Sequence, residues 1–334
     1  MAITLSKISV EEISFSELAR HRDFILKAKY KNFSQFREIP EQMLAELFLQ
    51  EISEIKPSSE PCLFMAKAGG RPAGFLCLHR LEWDSDHFGI PMGKVKRLLG
   101  EIDPASDLEV KKSLIQAALE QMKKMGIRHL AARVSADDAR AVAAMENAGF
   151  YLADTIVEYY FDFRKTRIPE MTHQCQMRLF QPADLEMVNN GVRGIFDAYL
   201  DRFHRDPHLD KRKSDQLYEK WMINSCRGLS DDCLIAVVDG KLAGLSTLET
   251  YGEINRHLPM SFGEIILSGV VEAFRGKKIY TSMINFGQEY FKGKVDLLRV
   301  ATQLNNIYVQ RAWAGLGFLL KYAFHTYHYY MPGG

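Results

Sequence analysis

This chain writes one unit twice, and the duplication constrains its architecture more than any single motif does. "AKAGGRPAGFLCL" (66–78) and "VVDGKLAGLSTLE" (237–249) each read as a β-hairpin, with turns at Gly70 and Gly240. Further along, "ARVSADDARAVAAMENAGF" (132–150) matches "LRVATQLNNIYVQRAWAGLGF" (298–318): a strand carrying Arg-Val, a polar opening, an amphipathic helix and a Gly-Phe exit. The hairpins and the Gly-Phe pairs hold nearly the same offset, which indicates duplication of a whole domain and not a short solenoid repeat. Between these landmarks each half supplies a third strand ("GKVKRLLG", "GEIILSGVV") and a helix ending at glycine ("EVKKSLIQAALEQMKKMG", "YTSMINFGQEYFKG"). The expected fold class is α/β (α+β), with two tandem domains, each a mixed, mostly antiparallel sheet flanked by helices. The expected division is 1–166, a linker at 167–174 containing Pro169, and 175–334.

Composition narrows the function classes. Of 334 residues, 47% are hydrophobic and 25% charged, enough for two packed cores. A net charge of +1 gives no global field for nucleic acid or a membrane, so any anion site must be local. The five cysteines are scattered without a CxxC pair, which fits a reducing, cytoplasmic setting. No signal peptide or membrane span is expected.

The local anion site is legible in one copy only. "VVEAFRGKKIYT" (270–281) reads as strand, tight basic loop and helix start. Gly276 permits close backbone approach, and the helix N-terminus beyond it offers free N–H groups and a positive dipole end, as a pyrophosphate requires. Lys278 and Tyr280 stand where such loops often carry glycine. The expectation is that both lie in the first helical turn, where positive φ is not needed. At the matching place the first copy reads "GEIDPASDLE" (100–109), where Glu101, Asp103, Asp107 and Glu109 would repel phosphate, and Ser106 or Asp107 reads as an ordinary helix cap.

The order of elements, "RGKKIY" (275–280) and the later set Asn306, Val309, Trp313, Gly317 and Phe318 together resemble the GNAT family of acyl-coenzyme A N-acyltransferases. "WDSDHFGI" (83–90), "YEKWMINSCRG" (218–228) and "LRVATQLNN" (298–306) look more narrowly like the TDP-fucosamine acetyltransferase family, which acts on nucleotide-linked 4-amino sugars. The resemblance implies acetyl-CoA as cosubstrate, held in the second copy by Leu267, Ser268, Gly269, Val270, Val271, Arg275, Gly276, Lys277, Lys278, Ile279, Tyr280, Asn306 and Trp313. The first copy becomes a scaffold.

Amide formation from a thioester needs a neutral amine and a protonated leaving thiolate. Alternation places Glu264, Ile266 and Ser268 on one strand face, and the resemblance makes Glu264 the base, with Glu249 second. The family's thiolate-protonating tyrosine falls on Trp313, whose indole N–H can donate a hydrogen bond but not give up a proton; Tyr308, Tyr280, another tyrosine or water remain as donors. The basic stretch 199–213, with Arg202, His204, Arg205 and His208, reads as a lid over acceptor phosphates. No metal pattern is present. The expected partner is a small-molecule amine, such as a TDP- or UDP-amino sugar, with no nucleic acid or membrane, on a monomer or homodimer. Other readings are a mycothiol-synthase-like tandem transferase, an amino acid or peptide acetyltransferase, or a silent CoA-binding protein.

Overall fold

The computed structural model describes residues 7–100, 106–173, 175–197 and 199–331. It divides into two compact units, Met1–Thr155 with Ala323–Gly334, and Ile156–Tyr322.

In the first unit, strands β1 (Ile8–Ile13), β2 (Cys62–Ala68), β3 (Arg71–Arg80), β4 (Met92–Gly100) and β5 (His129–Ser135) lie side by side in chain order. Only the β4–β5 pair is parallel; the pairs from β1 to β4 are antiparallel. Helices α1 (Phe15–Arg20), α2 (Arg22–Lys27) and α3 (Glu41–Ser53) bury Leu18, Ile25 and Phe48 with Met65, Phe75 and Cys77. Helix α4 (Glu82–Phe88) joins β3 to β4. The alternate residues of β2 and β3, Phe64 and Leu76, meet Val110, Leu114 and Met122 of α5 (Asp107–Lys124) and Met145 of α6 (Ala139–Asn147) in a second core. Period-2 strands therefore have both faces covered.

The second unit repeats this plan. It contains the second half of β6 (Tyr151–Asp162), then β7 (Gln176–Leu179), α7 (Leu185–Gly191), α8 (Lys211–Asn224), β8 (Asp232–Val238), β9 (Lys241–Thr250), α9 (Gly252–Asn255), β10 (Phe262–Val270), α10 (Ile279–Phe291), β11 (Leu297–Gln303) and α11 (Ile307–Gly315). The sheet order is β6-β11-β10-β9-β8-β7, again with one parallel pair, β10–β11. Its main core joins Leu248, Ile265, Leu298 and Val300 to Met283 and Phe291 of α10 and Trp313 of α11.

The last strands depart from the expected contiguous division. The chain's final strand β12 (Leu319–Tyr330) pairs with β5, from Phe324↔Ser135 to Tyr330↔His129, and so completes the first unit. Strand β6, which closes the first copy in sequence, pairs with β11 from Ile156↔Gln303 to Asp162↔Leu297. Ladder bonds use backbone groups common to all residues, so sequence similarity between copies does not say which copy a strand completes. Among the described residues no helix is long and apolar enough to cross a membrane.

Candidate active site

A cleft opens in the second unit where two parallel strands part. The β10–β11 ladder runs from Phe262↔Leu297 to Ile265↔Val300 and stops, while both strands continue. On its other side β10 bulges: Ile265 faces Leu248, but Ser268 faces Ser246, three residues against two. The bulge inverts the alternation. Ser268 joins the face of Ile265, and its hydroxyl shares a 2.8 Å hydrogen bond with that of Ser246. The expectation that Glu264 and Ser268 share a face is thus corrected. The narrow cleft, about 50 Å³, is lined by Ile265–Ser268, Tyr280, Val300–Thr302, Asn306 and Trp313, with Phe196 and Tyr199 at its side.

The backbone of 267–271 is only partly available. Leu267 N–H donates to Thr247 Oγ1 at 3.0 Å and Val271 N–H to the Ala243 carbonyl at 2.9 Å. Antiparallel alternation turns Gly269 toward β9 as well and leaves the amides of Ser268 and Val270 facing the cleft.

Beyond β10 a 3-10 turn, Glu272–Phe274, leads into the basic loop. Gly276 has φ +78°, a left-handed conformation open to glycine without steric cost. Lys278 is the N-cap of α10, with φ +57° and no side-chain cap hydrogen bond. The expectation that it lies within the first turn is corrected, whereas Tyr280 does lie there. A left-handed lysine stores about 1–3 kcal/mol, the kind of strain that accumulates at ligand sites. Ile279 is buried in the core, and Lys277 lies over the Phe274 ring at 5.3 Å. Arg275 braces the cleft wall, donating through Nη2 to the Ile195 carbonyl at 2.9 Å and through Nε to that of Val270 at 3.3 Å. Asn306 holds the N-cap position of α11, but its Nδ2 donates to Thr302 Oγ1 at 3.0 Å and caps no helix N–H.

The two carboxylates differ in their partners. Glu264 is buried; Arg299 and the Tyr251 hydroxyl both donate to its carboxylate, and Arg299 also pairs with Glu158. Both donors occupy carboxylate lone pairs that an incoming amine would otherwise meet. Among the described residues its cross-strand partner Glu249 pairs with no cation, and the Ser230 hydroxyl donates to it at 3.0 Å. Burial pushes the Glu249 carboxyl up and the negative Glu264 adds to this, while Ser230 partly offsets them. Sequence reasoning missed Arg299, Tyr251 and Glu158. The signal for Arg299 was an arginine inside the apolar strand "DLLRVA", which burial obliges to find a carboxylate.

Tyr308 is 85% exposed and does not line the cleft, because its place on α11 turns it to solvent. Trp313 is 2% exposed, lines the cleft, and its indole N–H lacks a well-formed hydrogen bond.

The basic stretch also reads differently in three dimensions. His204 is buried between Asp201, 2.7 Å from Nδ1, and Asp215, 3.0 Å from Nε2, and Tyr218 donates to Asp201. Burial alone would push the imidazole down, but the two carboxylates outweigh it and hold it above its usual range. Lys211–Lys213 form the first turn of α8, where the Asp210 carboxylate caps Lys213 N–H. His204 is therefore an internal cation and not a lid donor to phosphate.

The counterpart in the first unit shows what phosphate would meet there. Glu101 and Asp103 lie outside the described residues. Ser106 stands at the N-cap of α5 without a side-chain cap bond, and Asp107 is buried, 2.8 Å from Lys111 Nζ. Lys111 also binds Asp138, which caps α6. A Cβ on Gly100 would lie 1.8 Å from Asp107 Oδ1, so the carboxylate packs directly on the end of β4.

Residues 193–318 match the Acetyltransferase (GNAT) family. A spore coat polysaccharide biosynthesis protein, SpsD of Bacillus subtilis (strain 168), is 24% identical over 155 residues, 46% of this chain and 50% of that protein. The chain thus spans about half the length of that curated relative. A tandem GNAT protein from the clavulanic acid biosynthesis pathway shares the fold with a TM-score of 0.59 at 16% identity, over 98% of this chain and all of that one. A GCN5-related glucosamine N-acetyltransferase region of a fungal multi-domain β-N-acetylglucosaminidase gives 0.66 at 14% identity, over 98% of this chain and 39% of that one. Enzymes of the GNAT family use acetyl-CoA. The chain thus shares the fold of a tandem GNAT protein, and the stretch that matches the GNAT acetyltransferase family lies in its second unit.

Proposed function

We propose that the second unit transfers an acetyl group from acetyl-CoA to the primary amine of a nucleotide-linked 4-amino-deoxysugar. The observation that carries the cosubstrate is the contrast between the two helix N-termini. In the second unit the parted strands lead to Gly276 and the uncapped start of α10, flanked by Lys277 and Lys278. In the first unit the buried Asp107 carboxylate already lies at the corresponding start of α5. A pyrophosphate gains N–H donors and cations at the first place and meets a negative charge at the second.

On this reading Ser268 and Val270 offer backbone donors to the CoA arm, and Asn306 a side-chain amide. Glu249, whose carboxyl burial holds above the usual glutamate range, takes the proton from the attacking ammonium or amine. The pair Glu249 and Glu264 favours a cationic acceptor. The amino-sugar acceptor draws on the polysaccharide-pathway relative and on the sequence resemblance.

Calorimetry with acetyl-CoA should find one site per chain. Release of free CoA should then be seen with TDP- or UDP-4-amino sugars and not with an amino acid panel. Tight binding with turnover of amino acids alone would overturn the acceptor; no binding would overturn the cosubstrate.

A further inference from the structure

Cleaving a thioester to make an amide leaves a sulfur that must end as a thiol, so a proton has to reach it inside a narrow cleft. The side chains lining that cleft limit the source. Ser268 is engaged with Ser246, and Thr302 accepts from Asn306. Aliphatic hydroxyls are in any case far weaker acids than a phenol. Trp313 has a donor but no transferable proton. Glu264 is clamped by Arg299, and Tyr308 lies outside the cleft. Two phenols remain at the cleft, Tyr199 and Tyr280.

Tyr280 is the better placed. It sits in the first turn of α10, directly after the basic loop, and lines the same cleft as Trp313, whose indole N–H favours the phenolate. That N–H makes no hydrogen bond of good geometry in the structure. A buried indole N–H without a partner is costly, and that cost falls away when a full negative charge appears beside it. Resting on the acyl-CoA reading above, we propose that Tyr280 is the proton donor to the departing thiolate and that the Trp313 N–H stabilises the phenolate left behind. The amine nitrogen bonds to the carbonyl carbon and the C–S bond breaks with its electron pair on sulfur. The Tyr280 proton passes to that sulfur. The amine proton taken by Glu249 leaves to solvent, and solvent returns one to Tyr280, so amide and free thiol are the net products. Burial, the main influence on Tyr280, raises its pKa and keeps the proton on it before the reaction. A thiolate forming in the same buried cleft is made more basic by the same cause. The Trp313 interaction strengthens as negative charge develops on the Tyr280 oxygen, and an interaction stronger in the transition state than before it accelerates a step.

The test is leaving-group dependence. Tyr280→Phe should lower kcat with acetyl-CoA by roughly 100-fold, with the acetyl-CoA Kd, measured by calorimetry, changed by no more than about threefold (a hydroxyl contact is small beside the phosphate contacts). With the selenoester analogue of acetyl-CoA, whose selenolate needs no proton to leave, the same variant should come within about fivefold of wild type, because the proton-transfer contribution is removed. Trp313→Phe, which deletes the N–H, should show the same dependence at roughly tenfold, and it serves if Tyr280→Phe does not fold. The acceptor is whichever 4-amino sugar wild type acetylates fastest. Unchanged kcat in both variants, equal losses with both esters, or a selective loss in Tyr199→Phe instead would overturn the proposal. A wild type that binds acetyl-CoA but acetylates no amine, or does not bind it, overturns the underlying reading instead.

Discussion

Glu249 and Glu264 are direct partners across β9 and β10, yet Arg299 of β11 pairs with Glu264 and Glu158 and not with Glu249. The two carboxylates should therefore separate in mutagenesis. Glu249→Gln should lower kcat/KM by about 100-fold, a usual contribution for a general base, and abolish the acidic limb of the pH–rate profile. That limb should lie above the ordinary glutamate range, since the Glu249 pKa is raised. Glu264→Gln should mainly destabilise, by about 3 kcal/mol, because it breaks a buried pair. A pH profile and a denaturation curve for each variant check both outcomes.

The same shift has a consequence for stability. A carboxyl whose folded pKa is raised binds its proton more tightly in the native state. Stability then falls as pH rises from the unfolded pKa through the folded one. Glu249→Gln should accordingly be more stable than wild type at pH 7 and equal to it at pH 3, by thermal unfolding.

Lys278 combines a charge with a strained backbone. Lys278→Gly should raise stability by about 0.5 kcal/mol, the relief of positive φ less the entropy glycine adds to the unfolded chain. Lys278→Ala should keep the strain and give no such gain. Both should weaken acetyl-CoA binding and flatten its salt dependence, since each removes one cation near the phosphates. Calorimetry at two ionic strengths tests this.

His204, held by Asp201 and Asp215, should behave as a structural cation. His204→Ala should cost about 3 kcal/mol by leaving Asp201 buried without its cation. Because the folded pKa of His204 is raised, its contribution is complete below the unfolded value near 6.5 and is lost as pH rises through the folded value. Hydrogen exchange around 201–218, where Asp201, Asp215 and Tyr218 face the ring, should quicken over that window.

In the first unit, Lys111→Met leaves Asp107 and Asp138 facing each other without their cation, and should destabilise by about 3–5 kcal/mol. The number of acetyl-CoA sites should stay at one. Denaturation and calorimetry on the same sample report the two effects.

Much of the fold was legible because it is carried by periodic patterns. The hairpins at Gly70 and Gly240, the amphipathic α5 and α10, and the Gly-Phe exits all sit where spacing put them. The basic loop was legible as charge, since Arg275, Lys277 and Lys278 have no counterpart in "GEIDPASDLE". The site was less so. A bulge is set by how β9 and β10 pack, and it moved Ser268 off the face of Glu264. Exposure was invisible on α11, where Tyr308 and Trp313 differ by five positions and point to opposite environments.

The sequence by itself determined a duplicated α/β chain with one basic and one acidic helix entrance, because hydrophobic period and local charge are properties of neighbouring residues. Tertiary structure alone decided three other things. It sent β12 to β5 and β6 to β11, because backbone ladders do not distinguish one copy's strand from the other's. It put Arg299 on Glu264 and left Glu249 without it, because ion pairing depends on which side chains three strands bring together. And it set Tyr280 beside Trp313, 33 positions apart, where two helices meet over one cleft.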